Sequence, residues 1–270
     1  MTNSSTRELR RVTSRTNSLV KELRRAFAHY DSDQSGVAAI EGVRMLEEAL
    51  RSGLRLRTVF FREPAAKIAD RLLAQISNKT EALALPAEVF DSAVLTESPQ
   101  GVAALLEPKK YSLNDVLGKP QALVLALAGI QDPGNLGTLL RSAEAFSAAG
   151  SLLLEGTVNP WNPKCVRAAA GSLFRLPTVK IKFAEALAAL REKNFRVVAG
   201  SSHKGTPLHE ADLKAPLCIL IGNEGAGVPK PMLDSADQLV SIPHSEKVES
   251  LNAAIAGSLI LYEAAKNVRH

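Results

Sequence analysis

Residues 122–130 read ALVLALAGI, a run that is apolar almost throughout and is followed at once by the polar turn QDPGN. A strand with one wet face alternates apolar and polar residues. A short run without alternation is buried on both faces, as a central strand of a helix-covered parallel sheet is. Parallel neighbours cannot be joined by a hairpin, so crossover helices must follow. The chain supplies them: SLLLEG, TVKI, FRVVAG, LCILIG and QLVSIP read as further strands, separated by helical stretches such as FAEALAALREKN. This alternation predicts an α/β domain with a mostly parallel sheet, its chemistry in the loops at the strands' carboxyl ends.

Upstream, the periodicity predicts a basic helix over about 17–29, then strand GVAAIEG, helix VRMLEEALRSG, strand RTVFF, helix AAKIADRLLAQI and the shorter strands EALAL and GVAALLE. EPKKYSLNDVLGKP interrupts the pattern with two prolines and a lysine pair. The expected organisation is a smaller domain over 1–107, a linker over 108–119 and the parallel-sheet domain over 120–270. A chain of 270 residues has room for two such domains.

The net charge of +5 is concentrated in residues 1–25, where Arg7, Arg10, Arg11, Arg15, Lys21, Arg24 and Arg25 stand against Glu8 and Glu22. A basic arm on a neutral body suits a polyanion such as RNA, and a solvated terminus is the alternative. Cys165 and Cys218 lie far apart in apolar surroundings with no metal-ligand spacing, which predicts buried thiols in a reducing compartment and no metal. With no apolar leader and no span of membrane length, a soluble, cytoplasmic protein is expected. DSDQSGVAAIEG opens like a calcium loop, but its twelfth position is Gly42 in place of the bidentate Glu.

Three loops carry chemistry-bearing residues. In DPGNLGTLLRSAEAF, Asn135 has the chemistry of a helix cap, and Leu136, Leu139, Leu140, Ala143 and Phe146 form an apolar face. Arg141 falls on the other side, and the structural alternative for it is an i,i+3 pair with Glu144. IGNEGAGVP, 221–229, has its glycines in the wrong order for a dinucleotide loop and lacks the GK[ST] of a phosphate loop. Its Glu224 would repel a polyphosphate and tolerate a cationic ligand. In SIPHSEKVESLNAAIAG, Ser250 has N-cap chemistry, which leaves Asn252 unexplained in the first turn.

In this order the three segments resemble the SpoU/TrmH family of S-adenosylmethionine-dependent RNA 2′-O-ribose methyltransferases, with NPKCVRAAAGSLFRLP between them also similar; the likeness covers 119–268. NSLVKELRRAFAH and AAIEGVRMLEEALRSG resemble that family's L30e-like substrate-binding domain more loosely, with DSDQSG where a basic segment is usual. The resemblance implies an L30e-like α/β domain followed by a trefoil-knotted, mostly parallel sheet domain. It implies S-adenosylmethionine held by backbone groups at Gly222, Ile242 and Leu251. Arg141 is then the residue that serves the ribose hydroxyl, with Asn135, Glu224, Ser250 and Asn252 orienting ribose, arginine and cofactor. A homodimer through the knotted domain and helix 250–265 is implied, as is a structured RNA substrate, ribosomal RNA ahead of tRNA. His244 stands where the family has Met, Ser245 where Gly is common, and Ala253 where Val is usual. The alternatives are a non-catalytic RNA-binding assembly factor and a dinucleotide enzyme, the latter without its fingerprint.

Overall fold

The computed structural model describes residues 9–28, 36–64, 66–202, 204–223, 225–245 and 247–266. The chain divides into two compact units. One runs to Lys109 and takes in Trp161–Pro163; the other comprises Lys110–Pro160 and the chain from Lys164 onward.

The first unit has strands β1 Arg10–Arg11, β2 Ala38–Glu41, β3 Arg55–Arg62, β4 Glu81–Leu85 and β5 Val102–Glu107 in the order β1-β4-β3-β5-β2. β1 and β3 run parallel to β4, while β5 is antiparallel to both β3 and β2. Helices α1 Ser18–Ala28, α2 Val43–Arg51, α3 Ala66–Leu73 and α4 Ala87–Asp91 complete it. Val20, Leu23 and Phe27 of α1 pack with Val89 and Phe90 of α4 over Phe60, Leu83, Ala103 and Leu105, which together close one apolar core.

β1 changes the reading of the basic arm. Arg10 is paired with Glu81 at 2.6 Å and Arg11 with Glu63 at 2.8 Å. Arg24 donates from Nε to the Ser92 carbonyl at 2.9 Å and from Nη2 to its hydroxyl at 3.1 Å. Much of the charge that suggested a polyanion-binding arm is therefore used inside the unit. Arg7, Glu8 and the acidic loop from Asp31 to Ser35 lie outside the described residues.

In the second unit, β6 Leu123–Leu127, β7 Gly150–Leu153, β8 Thr178–Lys180, β9 Arg196–Ser201, β10 Thr206–Pro207, β11 Leu217–Ile221 and β12 Gln238–Ser241 form one sheet, ordered β10-β12-β9-β11-β6-β7-β8. Every pairing in it is parallel. As the unbroken apolar run requires, all of β6 and all of β11 are buried. Val124, Ala126, Leu152, Val197, Ala199, Cys218 and Leu220 face α8 Phe183–Glu192 and the short α5 Leu113–Leu117. The opposite face carries α6 Pro133–Ala145 and α10 Ala253–Ala265, which touch each other closely: a Cβ on Gly257 would strike Leu139 and crowd Ile221. α7 Pro163–Ala169 backs α6 where Gly137 meets Ala168 and Ala169, and α9 Lys230–Leu233 follows the loop after β11.

The stretch expected as a linker, 108–119, is partly folded. Ser112 and Asp115 form a reciprocal capping box that starts α5, and Val116 and Leu117 are buried in the second unit's core. The two prolines and the lysine pair flank this helix; they do not interrupt it.

Candidate active site

The carboxyl ends of β9, β11 and β12 converge on a cavity of about 810 Å³, counting its open mouth. Its described lining comes from the end of β9 and Ser202, from Ile221 and the loop residues Gly222, Asn223, Gly225, Gly227 and Val228, from Ile242, His244 and Glu249–Leu251 between β12 and α10, and from the inner faces of β12 and α10. Parallel sheets place ligands at this end.

Its floor is a loop folded on itself. The Asn223 amide donates to the Gly227 carbonyl and the Gly227 amide to the Asn223 carbonyl, both at 3.0 Å. The Asn223 side chain accepts from the amides of Gly225 at 2.8 Å and Ala226 at 3.1 Å, and its Nδ2 donates to the Gly129 carbonyl at 2.8 Å. One asparagine thus closes the turn and fastens it to the loop after β6. Gly222 lies where any Cβ would collide with the backbone of Gly227 and Val228. Sequence reasoning missed Asn223 as a site residue; Asn directly before a Gly-rich turn is the Asx-turn signal that could have found it.

The wall beyond is the segment entering α10. Asn252, and not Ser250, is the N-cap: its Oδ1 accepts from the amides of Ala254 at 2.9 Å and Ile255 at 3.2 Å. Ser250 is left exposed on the cavity wall. A second correction concerns α6, which is capped by Asp132, whose Oδ1 accepts from the Asn135 amide at 2.8 Å, with Pro133 in the first turn. Lys164 sits on the other Asp132 oxygen at 2.6 Å and, with that amide, holds the carboxyl below the usual range. Both asparagine side chains are thereby directed to one contact: Asn252 Nδ2 donates to Asn135 Oδ1 at 3.1 Å across 117 residues of chain. One turn pair further on, the Ser142 and Ser258 hydroxyls meet at 2.7 Å, which fixes α6 against α10.

Of the expected cofactor residues, Gly222, Ile242 and Leu251 all line the cavity, and Ser250 lines it with them. Asn135 and Asn252 meet beside it. Arg141 is exposed on α6 and makes no hydrogen bond or ion pair with a described residue. The alternative pairing with Glu144 does not form. Glu144 instead takes Arg175 in a two-pronged contact at 2.6 and 2.9 Å. Burial opposes the Glu144 charge, but the Arg175 guanidinium and the Ser172 hydroxyl hold its carboxyl below the ordinary value. Glu224 lies outside the described residues. His244, which read as a surface or RNA-contacting residue, lines the cavity mouth with Nδ1 2.7 Å from the Ile242 carbonyl.

Among the described residues lining the cavity there is no Lys or Arg. A polyphosphate would find no counter-charge there, whereas a cationic or zwitterionic nucleoside would need none. Cys165 and Cys218 are buried, with burial pushing both thiols up to about 12, helped at Cys165 by the Asp132 charge. No group of three or more metal-ligating side chains occurs among the described residues, and none of the described helices is long and apolar enough to cross a membrane.

Comparison with known proteins matches residues 122–262 to the SpoU rRNA methylase family and residues 17–104 to an MRM3-like substrate-binding domain. The chain belongs to the SpoU rRNA methylase family. It is 35% identical to an uncharacterized tRNA/rRNA methyltransferase of Synechocystis sp., over 96% of this chain and 94% of that one. It is 27% identical to the 23S rRNA (guanosine(2553)-2′-O)-methyltransferase RlmP of Bacillus subtilis, over 94% and 98% respectively. The crystal structure of the SpoU methyltransferase AviRb from Streptomyces viridochromogenes, in complex with the cofactor AdoMet, superposes with a TM-score of 0.84 at 28% identity, covering 93% of this chain and 97% of that one. Within this SpoU family member the family model covers the sheet from β6 and most of α10, and so every element of the cavity.

Proposed function

We propose that this protein transfers a methyl group from S-adenosylmethionine to the 2′-hydroxyl of a ribose in ribosomal RNA. The observation that carries the reading is the cavity itself. Gly222, Ile242 and Leu251 converge on it from two separate loops, and no basic side chain among the described residues invites a phosphate.

When bound, S-adenosylmethionine supplies an electrophilic methyl group on a sulfonium. Backbone groups of Gly222, Ile242 and Leu251 would hold it, on a floor that Asn223 keeps rigid. The ribose oxygen bonds to the methyl carbon as the carbon–sulfur bond breaks, sulfur keeping the electron pair and the hydroxyl proton leaving to solvent. Arg141, exposed and without a partner among the described residues, positions the RNA phosphate and stabilises the developing alkoxide; a guanidinium stays protonated and acts as a donor. Asn135 and Asn252 lock the first and third motifs to each other, which sets the Arg141 helix against the cofactor wall. Ser250, exposed on the cavity wall, is assigned to orienting the ribose, and Glu224, outside the described residues, keeps the role the family resemblance implies.

The strand order supports a trefoil knot: β12 lies beyond β9, and the chain must return across β9 and β11 for α10 to reach α6. A homodimer is supported by a stripe on α10, where Ile255, Leu259 and Tyr262 recur at helical spacing and are 55%, 41% and 52% exposed. The first unit is the substrate-binding domain, and the protein works in the cytoplasm.

The test is transfer of tritiated methyl from S-adenosylmethionine to total RNA of a strain lacking the gene, followed by nuclease digestion and mapping of 2′-O-methylated nucleotides. Label at one ribosomal RNA position is expected. Label confined to tRNA would move the substrate, and absence of cofactor binding would leave a non-catalytic RNA-binding protein.

A further inference from the structure

Glu249 has no part in the chemistry described so far, yet it lines the cofactor cavity. Among the described lining residues it is the only Asp or Glu, and no Lys or Arg is present to neutralise it. His244 is the other titratable group there, and its Nδ1 lies 2.7 Å from the Ile242 carbonyl. The Glu249 carboxylate makes no hydrogen bond or ion pair with a described residue. The backbone on either side of it is fixed: the Val248 amide closes a turn on the Ser245 carbonyl at 3.0 Å, and Asn252, three residues on, is held by its own cap and by Asn135.

A negative charge in this position distinguishes two ligands that are otherwise nearly the same size. S-adenosylmethionine carries a sulfonium, an ammonium and a carboxylate, net +1. Once the methyl group has left, the sulfur is a neutral thioether and the net charge is zero. We propose that Glu249 is a specificity-determining residue that favours the charged cofactor over its demethylated product, so that the site empties after each transfer. The inference rests on the methyl-transfer reading above. Because Glu249 is exposed at the cavity mouth, its effect is screened by salt and moderate in size.

The experiment is calorimetric titration of the full chain and of Glu249→Gln with S-adenosylmethionine and, separately, with S-adenosylhomocysteine. At about 50 mM salt the substitution is expected to weaken S-adenosylmethionine binding about three- to tenfold, leaving S-adenosylhomocysteine unchanged, with the difference shrinking near 0.5 M salt. Glu249→Asp should restore most of the preference. Equal weakening of both ligands would show that Glu249 only shapes the loop, and unchanged S-adenosylmethionine binding would show that its charge is not felt; either result overturns the proposal. A wild-type protein that binds neither ligand would overturn the methyl-transfer reading itself.

Discussion

In the first unit, arginines are spent on carboxylates: Arg10 on Glu81, Arg11 on Glu63, Arg55 on Glu107, Arg57 on Glu22, Arg62 on Asp91 and Arg71 on Glu47. In the second, Arg175, Arg191 and Arg196 are likewise paired, whereas Arg141 stands exposed on α6 with no partner among the described residues while the nearest carboxylate in sequence, Glu144, is taken by Arg175. Exposed pairs contribute little stability each, but a guanidinium already holding a carboxylate is a poor ligand for a phosphate. The contrast teaches that the count of basic residues overstates the surface available to RNA: Arg141 belongs with Arg15, Arg44 and Arg167 to a small set of exposed arginines that hold no carboxylate among the described residues, and only the proposed chemistry sets it apart from the other three.

The largest effect expected is at the cavity floor. Gly222→Ala forces a Cβ into the Gly227 and Val228 backbone, so S-adenosylmethionine binding should fall more than about 100-fold by calorimetry while circular dichroism stays native. Next comes Arg175→Ala, which leaves the half-buried Glu144 without its guanidinium. A loss of about 2 kcal/mol in urea unfolding is expected. A loss near zero would mean that Glu144 has another partner at hand, and Arg141 would be the one to examine.

These expectations also mark where the sequence stops being informative. EALAL was readable as a strand and spans β4 residue for residue, because a buried run between turn signals has few other uses. Strand order was not readable, since parallel neighbours arrive by crossover and sequence adjacency says little about it. The α5 cap was hidden among prolines and lysines, although Ser112 and Asp115 have the spacing of a capping box. The cavity loops were legible as Gly-rich segments at strand ends. What could not be read was which partner a side chain selects: Glu144 had Arg141 three residues away and took Arg175 thirty-one away.

A smaller effect tests the sheet that carries the cavity. Burial opposes the Asp237 charge, but Arg191 at 2.6 Å and the Val197 amide at 2.7 Å hold its carboxyl below the ordinary value. A depressed folded-state value means that the contribution is present at neutral pH and is lost as pH falls through that value. Asp237→Asn should therefore cost about 1 kcal/mol at pH 7, a figure already reduced for its partial exposure, and the gap should close below about pH 4 in acid-unfolding curves. The smallest effect expected is in the basic arm. If Arg10 and Arg11 hold Glu81 and Glu63 and not phosphates, replacing both by Gln should change the salt slope of RNA binding by less than about 0.7. A change near twice that value would return the arm to the RNA surface.

The most direct measurement compares single-turnover methyl transfer to ribosomal RNA by Arg141→Ala and Arg62→Ala at saturating S-adenosylmethionine, with cofactor affinity measured on the same preparations. The account predicts that Arg141→Ala binds the cofactor normally and transfers at least about 100-fold more slowly, while Arg62→Ala transfers at the wild-type rate. Near-normal transfer by Arg141→Ala would contradict it.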